Sequence, residues 1–130
     1  MALTPAVADA IEELRATFPD ATVTVKEDGE EGAYVVVDPI PTGNAFVQPT
    51  TWIGFHITFP YPEADVYPHF VSPELARVDG ANHGEGFALT QWGPDAQPAW
   101  QLSRKSNRLN PAVDTAALKL LKVLAWLSNQ

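Results

Sequence analysis

Between Thr50 and Phe59 the chain alternates. Ile53, Phe55, Ile57 and Phe59 fall on one side, and Trp52, Gly54, His56 and Thr58 on the other. Successive side chains of a strand point to opposite faces, so a period of two predicts a half-buried β-strand with one apolar row. Such a strand needs neighbours for its main-chain groups and a second layer to cover its apolar row. It runs into Pro60-Tyr61-Pro62, which cannot continue a central strand.

The neighbours can be read in the same way. Ala21–Lys26 alternates valine with threonine, Glu27–Gly32 is an acidic turn, and Ala33–Val37 is an apolar run that reads as a more buried strand. A short strand is expected at His69–Val71 and a short extended piece at Phe87–Thr90. Residues 38–43, 72–86 and 94–98 read as Gly/Pro-rich loops.

Helices flank the strands. Thr4 can cap a first helix with Pro5 in its first turn and Val7, Ile11, Leu14 and Phe18 on one face. A last helix is expected from Pro111 to about Leu127, capped by Asn110, with Val113, Ala117, Leu120, Leu121, Leu124 and Leu127 as its stripe. A run of strands between two helices predicts an α+β fold. The expectation is one domain over residues 1–130, with about four antiparallel strands packed on the terminal helices and Phe55, Ile57, Leu120 and Leu124 in one core.

Composition narrows the chemistry. With no Cys in 130 residues, disulfides, thiolate zinc sites and thiol nucleophiles are all excluded. The N-terminus has no basic region followed by an apolar run, and no apolar stretch approaches the roughly 20 residues of a membrane span, so a soluble cytoplasmic protein is expected. The net charge of −8 speaks against nucleic acid as a ligand. That charge is uneven. Residues 1–100 hold three Lys/Arg against fifteen acids, whereas residues 101–130 hold five against Asp114 alone. Arg104, Lys105 and Arg108 are therefore the candidate contact patch for an acidic partner or a carboxylate tail, or else part of a solvated basic segment.

The element order and several local motifs resemble the ubiquitin-conjugating superfamily. Those enzymes carry an alternating strand that runs into a Tyr-Pro turn, as Trp52–Phe59 runs into Pro60-Tyr61-Pro62. Asn82-His83 lies where the family has His-Pro-Asn, although the tripeptide itself is missing. Gly86-Phe87-Ala88-Leu89 resembles the Gly-x-Cys-Leu segment with Ala88 at the catalytic cysteine's place, and Trp92-Gly93-Pro94 resembles Trp-Ser-Pro.

Trp100-Gln101-Leu102-Ser103-Arg104, then Asn110-Pro111-Ala112-Val113-Asp114 and an apolar helix, resemble one bacterial branch, the prokaryotic family-E ubiquitin-conjugating-like proteins. In that branch a His often follows the Ser-Arg pair; here Lys105 follows it. Together these motifs cover roughly residues 5–128.

The resemblance implies a UBC-like or RWD-like fold and a bacterial ubiquitin-like modification pathway. The implied partners are a ubiquitin-like protein and its activating enzyme, with no cofactor. It also implies a catalytic site around Ala88, Asn82 and His83, with Trp92, Trp100, Arg104, Lys105 and Arg108 as partner contacts. A thioester needs a thiolate, which Ala88 cannot supply. The chain is then either a natural non-catalytic relative or a Cys-to-Ala replacement of a transferase, and a non-catalytic RWD-like binding scaffold is the alternative.

Other residues admit plainer roles. Asn82 or Asn107 could donate to an oxyanion, but a turn-forming role is the favoured reading of either. His83 with Asp79 and Glu85 matches no zinc spacing, so no metal site is expected. His56 fits a half-exposed sheet position. Trp92 and Trp100 suit core positions or lids over the Gly-rich segment.

Overall fold

The computed structural model describes residues 2–106 and 108–130. Helix α1 spans Pro5–Thr17, and the Thr4 hydroxyl caps it by accepting the Val7 N–H at 3.1 Å. Six strands follow: β1 (Thr22–Glu27), β2 (Ala33–Pro41), β3 (Thr50–Ile57), β4 (His69–Val71), β5 (Phe87–Trp92) and β6 (Gln97–Leu102). Helix α2 (Ala116–Ser128) closes the order. Every pairing is antiparallel and the sheet order is β1-β2-β3-β4-β6-β5. The α+β class holds, but the sheet has six strands, not about four.

The difference is a hairpin at the end of the sheet. β5 continues past Thr90 to Trp92, and β6 starts within the expected 94–98 loop. Pro98 disguises β6, because proline usually marks the end of a strand. Its register explains the tolerance. The Ser103 N–H donates to the Gly86 carbonyl at 2.8 Å, one step beyond the Phe87–Leu102 pair. Hydrogen-bonded pairs alternate along an antiparallel ladder, so Ala88–Gln101, Thr90–Ala99 and Trp92–Gln97 exchange bonds while Gln91–Pro98 does not. The missing proline N–H costs this ladder nothing.

Helix α2 begins at Ala116, not at Pro111. The Asp114 carboxylate accepts the Asn110 N–H at 2.8 Å, and the Asn110 side chain accepts the Ala112 N–H at 3.1 Å. The cap signature at Asn110-Pro111 is thus used up in a closed turn, and Thr115 caps the helix through the Leu118 N–H. The apolar stripe moves accordingly. Ala116, Ala117, Leu120, Val123 and Leu127 are buried, Leu124 is half-buried against the core, and Val113 and Leu121 are exposed. Phe59 is exposed as well, because β3 ends at Ile57.

Ile53, Phe55 and Ile57 are fully buried opposite Val37, Val35 and Ala33 of β2, in one cluster with Val7, Ile11, Leu14 and Leu120 of the helices. On the sheet's other face Trp92 lies across Gly54, where a Cβ would fall 2.6 Å from the indole. Glycine is required there for that close approach. Phe70 stacks on Trp92 at 5.2 Å, and Tyr34 stacks on His56 at 4.3 Å. Among the described residues no helix is long and apolar enough to cross a membrane.

Candidate functional site

Ala88 is exposed on β5, the strand at the sheet's edge, opposite Gln101. It shares the outer face with Thr90 and Trp92, whereas Phe87 and Leu89 face the helix side. The 79–86 segment folds toward that helix side. His83 stacks on Phe87 at 4.5 Å and meets Trp100 edge-on at 4.8 Å, and its Nε2–H donates to the Leu75 carbonyl at 2.7 Å. Asn82 is exposed and lines, with Gly80, His83 and Trp100, an open hollow of about 280 Å³.

The residues expected at a catalytic centre are therefore divided. Asn82 and His83 stand with Trp100, while Ala88 points to the opposite face. Trp92 is buried across Gly54 on the sheet's outer face, as a core aromatic would be, which leaves it little surface for the partner contact the resemblance implies. Asn107, the other candidate oxyanion donor, lies outside the described residues.

Trp100 anchors the loop from beneath. Its Nε1–H donates to the Pro73 carbonyl at 3.1 Å. The Arg77 guanidinium grips Asp79 at 3.1 Å, and this bond, with the Ala81 N–H after it, holds the Asp79 carboxyl below its ordinary value.

The basic segment builds the better-formed site. An open groove of about 260 Å³ runs between residues 104–106 and helix α2, lined by Arg104, Lys105, Ser106, Lys119, Lys122, Val123 and Trp126. The Arg104 guanidinium lies 5.0 Å from the Trp126 ring, and the Lys105 ammonium 5.4 Å from Tyr67. Trp126 is fixed in turn by Phe87 at 5.2 Å. Gly86 also touches it: with φ +90°, a Cβ there would stand 3.0 Å from the indole.

Among the described residues neither Arg104 nor Lys105 has a carboxylate within 4.0 Å, so both charges face the groove without a counter-ion. Lys122 is loosely held by Asp114 at 3.6 Å. Arg108 is exposed and does not line the groove.

Beneath the groove lies a closed polar network. The Lys119 ammonium donates to both Asp65 oxygens, at 3.1 and 3.2 Å, and to the Ser106 hydroxyl at 2.8 Å. Ser106 donates its N–H and its hydroxyl to Asp65, both at 2.8 Å. Burial works against the Asp65 charge, but the Ser106 and Lys119 bonds outweigh it and hold the carboxyl below its ordinary value. All three Lys119 donors are spent here, so this lysine anchors the groove's floor and is not free to bind. The Ser106 hydroxyl donates to the ion-paired Asp65 carboxylate, a weak base because its pKa is held low, and its oxygen accepts from the Lys119 ammonium, so it is not set up as a nucleophile.

His69 packs beside this network against Phe55 at 5.1 Å, fully buried, with no hydrogen-bond partner for either ring nitrogen among the described residues. Burial, and then the Lys119 charge, push its pKa down to about 3, so it stays neutral.

Ser106, Lys119, Lys122 and Trp126 were not expected as site residues. Lys119, Lys122 and Trp126 are spaced i, i+3 and i+7, a helical period that places them on one face, and that signal was present in the sequence. The Asp65 contact crosses 54 positions and left no such trace. Among the described residues no three His, Asp or Glu groups gather as a metal site would require. Comparisons with protein-family models, curated proteins and solved structures find no match.

Proposed function

We propose that this chain is a non-catalytic docking component of a bacterial ubiquitin-like modification pathway, built on the ubiquitin-conjugating fold and acting in the cytoplasm. It holds a ubiquitin-like protein or its activating enzyme without forming a thioester. The observation that carries this reading is the groove at residues 104–106. Arg104 and Lys105, with no counter-ion among the described residues and walled by an indole, stand on a chain of net charge −8. Such a groove attracts an acidic surface or a terminal carboxylate and raises the association rate, more so at low salt. Ala88 and the absence of cysteine remove the covalent step whatever binds.

A second reading, a non-catalytic RWD-like binding scaffold whose position 88 was never a transfer slot, is favoured by the position of Ala88. Its main chain is committed to the β5–β6 ladder, and its side chain faces away from His83 and Asn82. One experiment separates the two. The protein is mixed with a purified activating enzyme, its ubiquitin-like modifier and ATP. A salt-sensitive non-covalent complex that Arg104→Glu with Lys105→Glu abolishes is expected. Ala88→Cys should give a reducible thioester band if position 88 is the transfer slot. Binding without that band, beside a competent activating enzyme, favours the scaffold. Absence of binding removes the pathway reading.

A further inference from the structure

The two edges of the sheet are built differently. β1 carries Lys26 and Glu27, charges of the kind that keep an exposed edge from pairing with other chains. β5, Phe-Ala-Leu-Thr-Gln-Trp, has no charge, no proline and an unbroken register against β6 over all six residues. The ladder parity that excuses Pro98 also fixes which groups of β5 look outward. Ala88, Thr90 and Trp92 bond to β6, so the main-chain N–H and C=O of Phe87, Leu89 and Gln91 point away from the sheet. The Phe87 N–H turns back to the Gly84 carbonyl at 3.4 Å. Leu89 and Gln91 have no such turn bond among the described residues, and both are exposed, Leu89 at 64%.

The strand is also held rigidly. Trp92 pins one end against Gly54 and Phe70, and Phe87 pins the other against His83 and Trp126. A fixed edge loses little entropy when a strand adds to it.

We infer that β5 is a strand-addition site for an extended segment of a partner protein, apolar at its centre and basic at its ends. The central preference follows from Leu89, whose exposed side chain would lie beside a cross-strand neighbour. The preference for basic ends follows from charge. Glu85 and Asp95 bracket the neutral strand, and neither has an ion-pair partner within 4.0 Å among the described residues. A second copy fits less well. Two β5 strands paired antiparallel about Leu89 would bring Asp95 of one copy toward Glu85 of the other at both ends, and each copy carries −8. This site is separate from the groove and does not depend on the pathway reading.

The test uses the whole protein and two synthetic peptides of alternating Val and Thr, one with Lys at both ends and one with Glu. Binding is followed by amide chemical shifts. The Lys-ended peptide should shift the Leu89 and Gln91 amides and bind about tenfold tighter than the Glu-ended one, the size expected when exposed charge pairs change from attraction to repulsion.

Leu89→Pro removes an outward N–H and leaves the β5–β6 ladder intact, so it should abolish binding with the fold retained. Gln91→Lys, which keeps the backbone but adds an edge charge, should weaken the Lys-ended peptide and spare the Glu-ended one. The inference is overturned if the Lys-ended peptide fails to bind, or binds Leu89→Pro as well as the unaltered protein. It is equally overturned if sedimentation shows a dimer that Gln91→Lys dissociates, since a second copy would then be the occupant.

Discussion

Acid should destabilise this protein first through His69. The ring is fully buried, its nitrogens have no partner among the described residues, and the charges nearest it are the Lys119 ammonium and the Asp65 carboxylate. Burial and Lys119 lower its pKa from an ordinary 6.5 to about 3. A histidine whose folded pKa is depressed is neutral in both states above 6.5, so it has no effect on stability there. Below 6.5 the unfolded chain takes up a proton that the folded chain refuses. Stability therefore falls by about 1.4 kcal/mol per pH unit until the folded pKa is reached.

Between neutral pH and about pH 4.5 the loss from this one group is roughly 2–3 kcal/mol, a large part of a small domain's total. His69→Leu keeps a similar volume and deletes the unpartnered polar atoms. It should raise stability at neutral pH by roughly 1–2 kcal/mol and flatten the slope in that window. Urea unfolding followed by circular dichroism at several pH values measures both effects. Equal acid slopes for the two proteins, or a destabilised variant at neutral pH, would refute the reasoning. The depressed Asp65 adds a separate acid loss, which sets in only as pH falls below the ordinary carboxylate value of 3.8 toward its own lower pKa.

Gly54→Ala places a methyl 2.6 Å from the Trp92 indole and should cost roughly 1–3 kcal/mol while shifting Trp fluorescence to the red; unchanged stability and emission would mean that Trp92 does not lie on Gly54. Lys119→Met leaves the Asp65 charge without its cation and should cost about 2 kcal/mol near neutral pH, discounted because Asp65 remains partly exposed. That cost should shrink in acid as Asp65 protonates, so an equal loss at both pH values in the same unfolding assay would assign it to packing alone.

Local pattern determined much of this protein. The period of two in β3, the Thr4 cap of α1 and the three residues of β4 were all legible, because each depends on neighbours a few positions away. So was the basic excess after residue 100, and so was the exclusion of thiol chemistry. The start of α2 was not legible from its cap signature, since Asn110-Pro111 offers the same local signal whether it opens a helix or a turn. The Asp114 carboxylate settled that choice.

β6 was hidden because Pro98 marks a loop in most contexts, and only its register opposite Gln91 makes it harmless. The division of the expected catalytic residues also came from tertiary structure. Ala88 and His83 are close in sequence, but the pleat sends Ala88 to the outer face while His83 packs on Phe87 on the inner one. The burial of His69, the anchoring of Lys119 by Asp65 and the placement of β5 at an open edge all depend on contacts between distant segments. A single sequence records which side chains such contacts use, but not that they meet.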